Sequence, residues 1–517
     1  MSHFDPWIDG SIVGVYLLAT LIAGVMVRRY VGKVEDYLVA GREMDVYLGI
    51  ASLAATEFGI VTCMYTAQAG YTKGFVGAVP GILQAVAMLV IGLTGFCIKP
   101  LRLSGVMTIP ELFQRQFGPR IRWAAGLVII LGGLLNMGLY LRIGGEFLSA
   151  VVGFDPGWLE WVMTALLVLV LVYTVLGGML SVLVTDYLQF VVMSVGLLVV
   201  TYLVFADVGW SRLVETVETH HGAGGFDPLA AGGPGWSFLL FQSCLQLAAT
   251  ITWQPVIARL LSAKDERTGR RMYVRTSAFF AARFVIPGLW GIAALAMLTP
   301  VDLAGLPPGA DPSLHAMPIY LARLVPVGLM GLLVAAMLAA DMSTDSSYML
   351  TWGSVIYNDL CAPFRKGPSS EKRGLFWNRT IVVLIGVFLL FFGLWFPLKG
   401  DLWTYFSVTG TIYLSSVSVL LVSCCYWKRA NDWGAAAAIF FGAAFPVATL
   451  LLPHFDPEKQ FVLTRLGDNW NGFLAYVLAA VGMIVGSLLK PATRSGAPAG
   501  PGAPGESGGF GRGGASA

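Results

Sequence analysis

Between Asp341 and Ser347 the run AADMSTDSSYMLTWGS holds four hydroxyls and two carboxylates in otherwise apolar surroundings. At about 100° per residue, Ser343, Ser346 and Ser347 (i, i+3, i+4) share one helix face with Thr344 at its edge. Asp341 and Asp345 stand i, i+4 to each other, about 200° around from Ser343. A hydroxyl face suits a hard, oxygen-preferring monovalent cation, completed by carbonyls freed where a neighbouring helix unwinds. The plainer reading is that these hydroxyls bond their own i−4 carbonyls or let helices approach closely. Two further clusters weigh against it. SLAATEFGIVTCMYTAQAGY, from Ser52, sets Thr56 and Glu57 beside Gly59, and VYTVLGGMLSVLVTDYLQ, from Val172, has Gly177 and Gly178 at a turn and Asp186 in the helix that follows. A glutamate in such surroundings needs a cation, a proton or a break in its helix.

The elements that carry these residues are membrane helices. The chain has 517 residues, 56% hydrophobic and only 12% charged, with a mean hydropathy of +0.73, whereas soluble domains carry about 25% charge. This excludes a soluble enzyme. Apolar runs of spanning length without alternation specify helices rather than a barrel. Thirteen are expected, near 8–28, 45–70, 78–98, 121–148, 157–177, 184–206, 235–260, 277–299, 318–357, 378–397, 402–426, 433–452 and 471–489. Polar groups at that depth mark function by default.

With the N-terminus outside, the segments facing the cytoplasm hold 25 Lys and Arg, and the external ones hold five. The positive-inside rule therefore predicts N-out, C-in, in a cell membrane. No removable signal peptide is read. The expected layout is an external N-terminus and first helix (1–44), a five-helix unit (45–206), an external loop (207–234), a second five-helix unit (235–426), two peripheral helices (427–490) and a disordered cytoplasmic tail (491–517). The six cysteines read as free thiols. The net charge of +3 gives no nucleic-acid signal, and no GxxxxGK[ST] run supports an ATP-driven pump.

Four pieces in order, TIPELFQRQFG from Thr108, YTVLGGMLSVLVTD, WQPVIARLLSAKDE from Trp253, and AADMSTDSS, resemble the sodium:solute symporters, the family of proline, sugar and sialic acid carriers. The resemblance spans nearly the whole chain. It implies an all-α inverted five-helix-repeat (LeuT-like) fold, with the first helix of each repeat broken at the midplane. It also implies a sodium site made by the carbonyls of Ala55, Phe58 and Ala340 and the hydroxyls of Ser343 and Thr344. Members similar to the sialic acid carrier add a second cation site, which falls here on Asp186, Ser346 and Ser347. One or two sodium ions are therefore expected, although Asp186 equally fits a helix-capping or gating carboxylate. The partners implied are sodium, a small solute and the bilayer, and a monomer suffices.

Glu57 stands where proline-carrier-like members have Asp and sugar-carrier-like members have Asn. It serves to strengthen cation binding, to hold a cationic group, to take up a proton, or to pair with a buried arginine. Arg142 either clamps a substrate carboxylate, reaches Glu57, or pairs with Glu146 at i+4, the simplest account. Asp341 and Asp345 depart from the common family pattern, which leaves proton coupling open; Arg283 and Arg323 are candidate partners. In the seventh span Gln242, Gln246, Trp253 and Gln254 line up with the family's broken helix, for stacking on a solute or for packing, and Gln68 and Gln84 are similar candidates. The expectation is a sodium-coupled symporter, not an enzyme, that imports an amino acid, a carboxylate or another charged or zwitterionic solute. The alternatives are a sugar or polyol symporter, a proton-coupled carrier of the same fold, and a solute sensor.

Overall fold

The computed structural model describes residues 3–154, 156–304, 306, 310–361, 364, 370–395, 401–455 and 466–490. Among them the chain is almost entirely helical, with one isolated bridge between Met44 and Ala263. The main helices are α1 Ile8–Met26, α2 Val46–Glu57, α3 Ile60–Lys73, α4 Val79–Thr94, α5 Pro119–Met137, α6 Tyr140–Leu148, α7 Leu159–Val208, α8 Gly235–Thr252, α9 Gln254–Ser262, α10 Glu266–Met297, α11 Leu329–Val355, α12 Glu371–Trp395, α13 Leu402–Tyr426, α14 Asp432–Phe455 and α15 Asp468–Leu489. The predicted tail lies outside the described residues.

Among the described residues, ten helical stretches are long and apolar enough to cross a membrane, against thirteen expected. The difference has local causes. Ile60–Thr94 runs as one stretch through α3 and α4, and the 50-residue α7 unites two expected spans. The broken pair α8 and α9 supplies no single helix that qualifies. Inside α7 the chain turns at Gly178 (φ 55°, ψ −146°), a conformation that disfavours any side chain. The turn packs tightly, since a Cβ on Gly178 would lie 2.5 Å from the carbonyl oxygen of Tyr37.

Two helix breaks position the polar clusters. Between α2 and α3, Phe58 (φ −120°, ψ 90°) and Gly59 (φ −98°, ψ 171°) are extended. Gly59 is required because α11 passes close by: a Cβ there would lie 2.9 Å from Thr344 Oγ1. Between α8 and α9, Trp253 is extended (φ −63°, ψ 114°), and Pro255 starts α9 where its missing N–H costs nothing. Each break leaves backbone groups unpaired by helix, which is tolerable at membrane depth only inside protein or around a cavity.

The segments expected on one side of the membrane gather at one end of the molecule. Arg42 donates to Gly105 O at 2.7 Å, Arg102 Nε to Ala263 O at 2.8 Å and Arg122 Nε to Asp359 Oδ1 at 2.7 Å. Segments at or near the connections expected opposite also contact one another. Lys73 pairs with Asp401 at 3.1 Å, Gln68 Nε2 donates to Asp311 Oδ2 at 3.1 Å, and the Gly328 amide donates to Asp9 Oδ1 at 2.7 Å.

Candidate sodium and solute sites

α11 is buried along almost its whole length and meets the break after α2 through its hydroxyls. Thr344 Oγ1 lies within hydrogen-bonding reach of both Thr56 O (2.9 Å) and Ala340 O (3.0 Å). The Ala55 carbonyl accepts from the Phe58 amide at 3.4 Å, the last backbone bond of α2 before the chain unwinds. Ser343 Oγ donates to Asp186 Oδ1 at 2.6 Å. Ser346 instead turns back to its own helix and donates to Ser343 O at 3.2 Å.

Asp186 does not stand alone with hydroxyls. Arg259 of α9 is completely buried and ion-pairs with it, Nη2 to Oδ2 at 3.1 Å. The same guanidinium donates to Thr56 Oγ1 at 2.7 Å and Ser52 Oγ at 3.1 Å, and also to Ser347 Oγ. Ser52 also bonds Asp186. A cation that belongs to the protein therefore lies among Asp186, Ser347 and Thr56, and the knot ties α2, α7, α9 and α11 together. Sequence spacing gives no sign of this role for Arg259, because even Asp186, the nearest in sequence of its side-chain partners, lies 73 residues away.

Glu57, the last residue of α2, pairs with Arg283 of α10, Nη1 to Oε2 at 3.1 Å. Arg283 also donates to the Glu57 carbonyl and, through Nη2 at 2.6 Å, to Gln84 Oε1. It lies 4.6 Å from the Phe280 ring centroid, a cation–π contact. Glu57 Oε1 and Arg283 Nε are buried with no hydrogen-bond partner among the described residues. Arg142 does not reach Glu57: it pairs with Glu146 at 2.7 Å, one turn along α6. Arg323 pairs with Asp302 at 2.6 Å. Neither Arg283 nor Arg323 is therefore ion-paired with Asp341 or Asp345, which are buried on α11, the Asp345 Oδ1 atom without a partner among the described residues.

Glu57, Arg283 and Gln84 line a cavity of about 80 Å³, with Gln246 and Asn136 as further polar lining. Its aromatic lining includes Tyr65, Tyr140, Trp253, Tyr348 and Trp403. Trp253 donates through Nε1 to the Tyr348 hydroxyl at 3.0 Å, and Tyr65 packs on Trp403 with centroids 4.9 Å apart. Gln242 bonds Gln246 at 3.4 Å. Gln254 is buried at the start of α9, and Gln68 sits near the start of α13, where its carbonyl oxygen also accepts from the Leu402 amide at 3.1 Å. Of the solute candidates, the cavity thus gathers Glu57, Gln84, Gln246 and Trp253, while Gln68, Arg142 and Gln254 are outside its lining.

Residues 37–442 match the model of the sodium:solute symporter family. The chain belongs to the sodium:solute symporter family. Similar symporters include sodium/glucose cotransporter 4 of Danio rerio, 28% identical over 86% of this chain and 72% of its own length. The osmoregulated proline transporter OpuE of Bacillus subtilis is 26% identical over 84% of this chain and 86% of its own. Among solved structures, the substrate-bound outward-open state of a Na+-coupled sialic acid symporter aligns with a TM-score of 0.77 at 20% identity, covering 95% of this chain and 99% of that one. The symporter thus has the inverted-repeat transporter fold, is a multi-pass membrane protein, and uses sodium to move a solute rather than to catalyse a reaction.

Proposed function

We propose that this symporter imports a small zwitterionic solute of the amino-acid type, coupled to one sodium ion. The Glu57–Arg283 pair carries this reading: both residues line one cavity, and each has a buried polar atom without a hydrogen-bond partner among the described residues. A solute ammonium group would bond Glu57 Oε1 and a solute carboxylate Arg283 Nε, with aromatic rings excluding water from both contacts. Sodium would sit at the α2 break, on the carbonyls of Ala55, Phe58 and Ala340 with Ser343 and Thr344. Binding there would tie α2 to α11 and favour the state open to solute. Arg259 supplies the positive charge that a second ion would bring to Asp186, which supports a single sodium. The contacts of the basic segments with one another, and of the segments expected opposite with one another, support an external N-terminus and a cytoplasmic C-terminus.

A thermal-shift screen of zwitterions, carboxylates, sugars and polyols, with and without sodium, tests the substrate class, because a ligand stabilises the state it binds. A sodium-dependent shift with an amino acid is expected. A shift with sugars alone overturns the zwitterion reading and leaves sodium coupling intact.

A second reading, proton movement alongside sodium, is favoured by the buried Asp341 and Asp345 one helical turn apart. An isolated buried carboxylate favours its neutral form over an unpaired charge. Solute-driven proton uptake in proteoliposomes that disappears in D341N/D345N would support it, and its absence in the parent would exclude it.

A further inference from the structure

The C-terminal turn of α4 and the first turns of α10 enclose a cavity of about 340 Å³ lined by Gly92, Leu93, Val274 and the arginines Arg267, Arg270, Arg271 and Arg275. Spaced i, i+3, i+4 and i+8, the arginines form one stripe along the start of α10. The close approach that builds the cavity depends on Gly92, where a Cβ would lie 2.9 Å from the Val274 backbone nitrogen. The guanidiniums have different occupations. Arg270 caps the end of α4, donating from Nε to Gly92 O at 3.0 Å and from Nη2 to Leu93 O, and it pairs with Glu266 at 3.4 Å. Arg275 rests over the ring of Tyr47 at 5.8 Å. Arg267 and Arg271 are exposed and form no ion pair among the described residues. Asp265, just before α10, is engaged in capping that helix through the Thr268 amide at 2.7 Å. The cavity is therefore a concave site with surplus positive charge.

What leads into it is apolar. Ile82, Val86, Leu89, Val90 and Leu93 are exposed at i, i+4, i+7, i+8 and i+11 along α4, a single stripe that ends at the arginines. Tyr47, 73% exposed, stands at the same level, where an amphipathic ring marks the membrane interface. The geometry points to a binding site for one anionic phospholipid, its phosphodiester held by Arg267 and Arg271 and its acyl chain lying along the α4 stripe. A bound lipid would brace the α4–α10 pair, which carries Gln84 and Arg283 into the solute cavity. This inference rests on membrane embedding alone and is independent of the substrate class.

Native mass spectrometry of the full chain in detergent, titrated with phosphatidylglycerol or phosphatidylcholine, tests it. The parent protein should retain phosphatidylglycerol preferentially. R267Q/R271Q should bind it about thirtyfold more weakly, as two lost contacts of this kind imply, and R271Q alone about fivefold. The exposed pair R28Q/R29Q at the same end should bind like the parent. The site is overturned if the parent shows no headgroup preference, if R28Q/R29Q loses as much as R267Q/R271Q, or if inorganic phosphate at equal concentration competes fully. Thermal unfolding in phosphatidylcholine checks that the variants fold, and R271Q carries the comparison if the double variant does not.

Discussion

Glu57 and Arg283 are 226 positions apart, and neither is comfortable in a membrane without the other. Removing one partner of a buried pair leaves an uncompensated charge, at a cost of about 3–5 kcal/mol, whereas removing both costs less. E57Q and R283Q are each expected to lower the unfolding temperature and abolish uptake, and E57Q/R283Q to regain much of the stability without regaining transport. Equal instability of the single and double variants would show that the pair does not act as a unit. At the sodium site, S343A and T344A each lose a hydroxyl worth ~1–2 kcal/mol, so the sodium concentration for half-maximal uptake should rise about tenfold. Unchanged sodium dependence in S343A/T344A would move the ion elsewhere. His315 offers a pH test: burial lowers its pKa below the ordinary imidazole value, with the Glu146 and Asp311 carboxylates opposing. A base whose folded pKa is depressed contributes stability that is present above its unfolded pKa, about 6.5, and is lost as pH falls from there through the folded pKa. Melting temperature should therefore fall between pH 7.5 and pH 5.5, and H315Q should flatten part of that slope.

At the scale of elements, what the sequence made legible was local. The Arg142–Glu146 pair follows from an i+4 spacing, and the shared hydroxyl face of α11 follows from helical periodicity. The partners of Glu57 and Asp186 were not legible, because no pattern within one helix reports which distant helix lies against it. Arg259 stands just before a run of basic residues, Lys264 to Arg275, whose pattern resembles a topology signal, and only the break at Trp253 and Pro255 carries it into the bundle. The breaks themselves give a sharper test than any side chain. G59A would bring a Cβ to 2.9 Å from Thr344 Oγ1 and push α11 away from the α2 break. Sodium-dependent uptake is expected to fall by about tenfold or more, with secondary structure unchanged by circular dichroism. Full activity in G59A would show that the contact is not needed.

Across the whole molecule, continuous helix divides the chain into fewer spans than hydropathy does, because a turn inside α7 and the break between α8 and α9 are invisible to one criterion or the other. Orientation is the property the fold alone leaves to be measured. With the proposed topology, a cysteine placed at Glu218 should react with a membrane-impermeant maleimide added to intact cells, and one placed at Arg267 should react only after permeabilisation. The reverse pattern would invert the topology. Arg259 has a further consequence, which is electrical. A guanidinium tethered to the chain never leaves with the cargo, so with a zwitterionic solute and one sodium the current should carry one charge per solute molecule. At 100 mV one charge is worth about 2.3 kcal/mol, enough for roughly fiftyfold accumulation before any sodium concentration gradient is added. A ratio of two charges per solute would mean that a second ion enters despite the arginine already seated beside Asp186.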